Sequence, residues 1–222
     1  MCLFFKPWYN ESLYDIGIKG KKILVVGASH YCKHADECRY FENCTSREHK
    51  DSSPYLNLCP YCDADLSHST IETVEYFLGG TMNKSYRNFT DFMIEHLKLA
   101  DTDEYLWSHI AFMNYVQYML GGDENIDTNP SDISGRDYDA FTKVVSMLTP
   151  DLIVVWGAPV GNELKKHKLN RPTIQGADSD YVFEINIDNR VYTIINCYHP
   201  CNYRCWFSND IDKLQKQFGL LL

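Results

Sequence analysis

The sequence predicts an α/β protein: a three-layer α/β/α sandwich around a central, mainly parallel sheet of four to five strands. Three observations predict it. Short β-branched runs stop at glycine, amphipathic stretches of helical spacing separate them, and a late pair of runs is joined by Asp188-Asn189. Strands that alternate with helices pair in parallel, because a parallel connection needs a crossover long enough to hold a helix.

The first strand is KILVVG, residues 22–27, an unbroken apolar run of the kind that buries both faces of a sheet. Residues 107–115, WSHIAFMNY, read as the second and LIVVW before Gly157 as the third. Residues 181–187 and 190–197 read as a hairpin turning at Asp188-Asn189. Between them, Ile71, Val74, Phe77 and Leu78 give one helical stripe, and Phe89, Phe92, Met93, His96 and Leu97 a second. Tyr138, Phe141, Val144, Val145 and Leu148 give a third, ended by Pro150. Pro159 suits the first turn of a helix running through VGNELKKHK, and Ser208 suits the cap of a last helix presenting Ile211, Leu214 and Phe218. In such sheets ligands sit beyond the carboxyl ends of the strands, so the residues just after each strand are the candidates for chemistry.

Composition narrows the classes. With 222 residues, 45% hydrophobic and 23% charged, the chain reads as one globular domain over residues 1–222. Within it, a polar, Cys-rich insertion is expected at about residues 32–68. The 21 basic residues against 30 acidic ones give a net charge of −9, which argues against a protein that coats nucleic acid through phosphate neutralisation alone. No apolar stretch approaches the ~20 residues needed to cross a bilayer, so no membrane partner is expected. The opening MCLFFKP lacks a basic n-region and a sustained apolar core, which points to a cytoplasmic protein. In that compartment, clustered cysteines serve metals or redox chemistry more often than disulfides.

Cys38, Cys44, Cys59 and Cys62 stand five, fourteen and two residues apart, and a Cys-x-x-Cys knuckle with a second pair can hold a tetrahedral zinc ion. Zinc is the expected cofactor, in a structural role. An iron–sulfur cluster ranks below it. Cys59-Pro60-Tyr61-Cys62 is also a redox motif, but that chemistry needs a preceding strand and a following helix, which residues 52–57 and 63–68 do not offer.

The strand ends read Gly27-Ala28-Ser29-His30-Tyr31, then Met113-Asn114-Tyr115, then Gly157-Ala158-Pro159, then Tyr198-His199-Pro200. Taken in order within KKILVVGASHY, HIAFMNYVQ, LTPDLIVVWGAPVGNEL and YTIINCYHPCNY, these motifs resemble the uracil-DNA glycosylase superfamily from about residue 21 to residue 206, the insertion excepted. The resemblance implies a fold of that type and a DNA N-glycosylase, a hydrolase that takes uracil or a related damaged base out of DNA. It implies that Asn114 reads the polar edge of the base and that His199 donates to the base oxygen as negative charge builds there. Tyr31 would shape the pocket beside Gly27 and Ala28. Asn202, Tyr203 and Arg204 would follow the chain into the duplex.

The family's first loop carries Asp, Asn or Glu; this chain has Ala28 and Ser29 there, and His30 where the family has Pro. Ser29 and His30 are therefore the first-loop candidates to act near the sugar. Lys165, Lys166, Lys168 and Arg171 form the one dense basic run and are the natural phosphate contacts, with Tyr203 and Arg204. Two rival functions keep the same fold. One is a protein that binds or hydrolyses a free nucleobase or nucleotide, which an acidic chain suits. The other is a non-catalytic interaction module whose zinc-stapled insertion is the working surface.

Overall fold

The computed structural model describes residues 3–32, 34–39, 68–122, 128–171, 174–201 and 211–222. Five strands form the main sheet: β1 (Ile23–Gly27), β3 (Ile110–Asn114), β5 (Leu152–Trp156), β6 (Val182–Ile187) and β7 (Arg190–Cys197). Their order is β3-β1-β5-β7-β6, with all pairs parallel except β6 with β7. Two short strands, β2 (His30–Cys32) and β4 (Met119–Gly121), pair in parallel beside it. The helices are α1 (Glu11–Ile16), α2 (Ser69–Leu78), α3 (Lys84–Asp91), α4 (Asp103–His109), α5 (Gly135–Leu148), α6 (Ala158–Lys165) and α7 (Ile211–Leu221). A π-helical turn, Phe92–His96, continues α3.

The strand period of two sorts the sheet residues into two cores. Ile23, Val25, Phe112, Val154, Trp156 and Ile195 face α2, α3, α4 and α7, which contribute Val74, Phe77, Phe89, Trp107 and Phe218. Leu24, Val26, Met113, Ile153, Val155 and Ile194 face α1, α5 and α6, which contribute Tyr14, Phe141, Val144, Val145, Val160 and Leu164. Helices therefore cover both faces of the sheet, and the three-layer sandwich follows. The chain also covers the sheet's two edges. Trp8 exchanges backbone hydrogen bonds with Phe112 outside β3, and the Leu169 N–H donates to the Glu184 carbonyl outside β6.

The Asp188-Asn189 hairpin is present, with both residues at positive φ (50° and 62°) as a two-residue turn of this hand requires. The second strand is shorter than its apolar run predicts. Trp107 to His109 close α4, capped by the Thr102 hydroxyl, and the strand begins only at Ile110. The Trp107 indole explains the boundary: it donates to Thr90 and stacks on Tyr86, contacts a helical residue makes and a strand residue on that edge would not. Likewise α6 ends at Lys165 rather than running on through Lys168, whose backbone bridges to Ile185. Ser208 lies outside the described residues, as does most of the expected insertion, residues 40–67. Among the described residues no helix is long and apolar enough to cross a membrane.

Phe141 is fully buried where α5 meets the sheet, against Tyr115 and Tyr138. Phe141→Ala leaves a cavity in that layer, and an unfolding free energy lower by about 3–5 kcal/mol is expected in urea titration.

Candidate functional site

The parallel strands deliver their carboxyl ends to one edge of the sheet, and the motif residues arrive there together. Gly27 and Asn114 are direct partners in register. A side chain at residue 27 could not coexist with Asn114, because a Cβ there would lie 2.3 Å from Asn114 Oδ1 and 2.8 Å from the Phe112 ring. Gly27 is thus the opening through which Asn114 lays its amide across the strand end.

Asn114 is held from both sides. Its carbonyl accepts from Gln117 Nε2 at 2.8 Å, and Gln117 Oε1 accepts the N–H groups of Phe4 and Phe5. The Gln117 N–H donates to Asp137, which also accepts from the Ser134 backbone and hydroxyl. Burial pushes the Asp137 carboxyl above its ordinary range, a shift that these donors and Arg136 oppose. On the side-chain side, Asn114 Nδ2 lies 2.9 Å from His30 Nε2, and His30 Nε2 lies 2.8 Å from the Thr70 hydroxyl. Asn114 is only 6% exposed, and its Oδ1 occupies the space left by the missing Gly27 side chain.

His30 was expected to act near the sugar. The structure instead turns its ring inward, buried edge-on against Phe5, with Nε2 on Asn114 and Thr70. Burial pushes its pKa from 6.5 down to about 4, so at neutral pH it is an uncharged ring that supports Asn114. Ser29 and Tyr31 meet at one residue: the Thr128 hydroxyl lies 2.6 Å from Ser29 Oγ and 3.1 Å from the Tyr31 hydroxyl. The Tyr31 ring packs on the cluster of Val116, Tyr118 and Leu120. Ala28, half-buried, accepts the Val116 N–H through its carbonyl and extends the strand pairing past Gly27.

On the other side of the edge stands His199. Gly157, at φ 94°, leaves its Cβ position 3.6 Å from the His199 Cβ, and the imidazole meets the Trp156 ring edge-on at 6.1 Å. Asn88 of α3 donates to the Pro200 carbonyl at 2.6 Å and fixes the turn that carries the histidine. The backbone N–H of Cys201 donates to His199 Nδ1, with the Cys201 thiol also 3.0 Å away. A backbone N–H can only donate, so the neutral ring carries its proton on Nε2, as a donor.

The remaining expected residues are not gathered here. Lys168 bridges Ile185 and Arg171 pairs with Glu184, which are level with Tyr192 and Thr193, at the start of the parallel strands. That is the opposite end of the sheet, roughly 13 Å below the strand ends at the rise of a strand. Lys166 pairs with Glu163 and Lys165 donates to the Asp180 carbonyl. Of the expected metal ligands, Cys38 ends a turn with its N–H on the His34 carbonyl, while Cys44, Cys59 and Cys62 lie outside the described residues. Among the described residues no three His, Cys, Asp or Glu side chains converge as metal ligands. Tyr203 and Arg204 also lie outside them.

Sequence reasoning missed Gln117, Thr70, Thr128 and Asn88. One signal was present: Ser134-x-x-Asp137 before an apolar run is a capping pattern, and it marks the carboxylate that orients Gln117. The other three make contacts 40 to 112 residues away in sequence, which no local pattern encodes.

The neutral state of His30 gives a pH signature. Its folded pKa is depressed, so the stability it contributes is complete above pH 6.5 and is lost as pH falls toward 4. Over that interval the wild type should lose about 3 kcal/mol more unfolding free energy than His30→Gln, measured in parallel urea titrations. A constant difference between the two proteins would reject the assignment. No protein-family model matches the chain, and neither does any curated protein.

Proposed function

We propose that the chain recognises uracil or a related damaged base in DNA and excises it by hydrolysis of the glycosidic bond. The observation that carries this reading is Asn114. The amide is more than nine-tenths buried at the strand end, where a polar partner would meet it with little competition from water. Its Oδ1 accepts and its second Nδ2 hydrogen donates, which complements the N3–H and carbonyl edge of uracil. His199, with Nδ1 accepting from Cys201, supplies the second requirement, an Nε2–H donor for the oxygen on which charge accumulates as the base departs.

Bond breaking passes through an oxocarbenium-like sugar, and such a cation takes up water readily once the base has left. The first loop has no carboxylate to steady that cation: Ala28 has none and the Ser29 hydroxyl is engaged by Thr128. Leaving-group stabilisation by His199 therefore carries most of the rate. The base must be out of the stack to reach a buried amide, which favours single-stranded or already unpaired substrate.

One observation favours the second reading, a free nucleobase or nucleotide as ligand. The basic run lies at the far end of the sheet with Lys166 and Arg171 in ion pairs, away from the site a DNA strand would have to reach. A zinc ion on Cys38, Cys44, Cys59 and Cys62 remains a proposal for the insertion under either reading, its test being metal content before and after Cys59→Ser.

Abasic-site formation is the test of excision. Wild-type protein incubated with uracil-containing single- and double-stranded oligonucleotides should generate alkali-labile sites, and His199→Ala should slow their appearance roughly 10²–10³-fold. If no sites form, no uracil oligonucleotide binds at low salt, and His199→Ala changes nothing, the DNA reading fails; uptake of free uracil alone would transfer the site to the second reading.

A further inference from the structure

We propose that His30, backed by Thr70, is the positioning residue that fixes which way the Asn114 amide faces, and so decides which base edge the site accepts. The inference rests on the reading of Asn114 as the base-contacting group. An amide has two nearly isosteric orientations, and only its hydrogen-bond partners choose between them. Here one Nδ2 hydrogen is taken by His30 Nε2 at 2.9 Å. That leaves the other Nδ2 hydrogen and Oδ1 as a donor–acceptor edge in a set order. The order matches a base that offers N–H beside C=O, as uracil does. It opposes one that offers a bare ring nitrogen beside an amino group, as cytosine does.

Flipping Asn114 would satisfy cytosine, but it would bring Oδ1 against the Nε2 lone pair of His30. The surroundings hold that ring in place. Burial keeps the ring neutral, Phe5 packs against it, and the Thr70 hydroxyl meets the same nitrogen at 2.8 Å from the first turn of α2. Gly27 completes the arrangement, since the space it leaves is filled by Asn114 Oδ1 itself. His30 thus acts on selectivity through Asn114 and need never touch the base.

The test compares His30→Gln, which can present a carbonyl acceptor toward Asn114, with His30→Phe, which keeps a ring against Phe5 and offers none. Two readouts are taken on folded protein: binding of free uracil and free cytosine, and solvent exchange of the Asn114 side-chain amide hydrogens by NMR. Wild type and His30→Gln should prefer uracil and slow the exchange. His30→Phe should narrow the uracil preference by roughly 10- to 100-fold, the equivalent of one buried hydrogen bond, and speed the exchange. Equal amide exchange in all three proteins would overturn the positioning role whatever the binding. If wild type binds neither base and neither binds nor cleaves uracil oligonucleotides, the selectivity role falls together with the functional reading. An unchanged preference in His30→Phe, with uracil still bound, overturns the inference while leaving that reading intact. Thr70→Val, which removes the hydroxyl and keeps the shape, should give the same shifts in weaker form; no shift there would remove Thr70 from the role.

Discussion

Parallel pairing is the constraint on which the rest of the molecule depends. A parallel strand cannot turn back on itself; the chain must leave the sheet, cross it through a helix and return, so the next strand points the same way. Repeated through β3, β1, β5 and β7, this rule buries both faces of the sheet and sends four chain ends out at one edge. Polar residues collect there because the helices cannot cover an edge as they cover a face. Asn114 and His199 are 85 positions apart in sequence and are neighbours of the same edge only for this reason.

Much of the fold was legible, and the pattern of what was not is physical. β1 and β5 announce themselves as β-branched runs because they are buried on both sides, and the β6–β7 hairpin because Asp188 and Asn189 tolerate the left-handed region. The boundary at residues 107–110 was not legible, since an apolar run of that length suits a buried helix end and a buried strand equally. β2 and β4 were missed because three-residue strands carry no period. Among the candidate residues, the strand-end positions of Gly27, Asn114 and His199 could be read from their places after apolar runs. His30 was assigned to the right loop and the wrong direction, because sequence fixes a side chain's type but packing against Phe5 fixes where it points. The place of the basic run was not legible for a similar reason: α6 runs back along the sheet, so lysines close to a strand end in sequence finish at the other end in space.

The two histidines at the strand ends have their ring nitrogens assigned by different devices. His30 is kept uncharged by exclusion from water, and its Nε2 faces the Asn114 amide. The tautomer of His199 is set instead by a single backbone N–H from two residues ahead, in a partly exposed turn. A ring held by burial can change state only if the core opens. One held by a local turn needs only that turn to keep its shape, and the shape is maintained from outside, by Asn88.

The Asn88 bond to Pro200 divides the site by origin. Gly27, His30, Thr70 and Asn114 all precede residue 115, and Gln117 and Asp137, which brace Asn114 from behind, follow soon after; His199, its turn and Trp156 come from the later chain. As the polypeptide leaves the ribosome, the side chains that hydrogen bond to Asn114 are made before β5, while β1 still awaits β5 along its other side. The imidazole half is threaded in last, against a helix that has long been waiting to receive it. The two halves share one core through Trp156, and the Asn88 bond is the late polar seam between them, so a defect in β7 would leave Asn88 with no turn to hold.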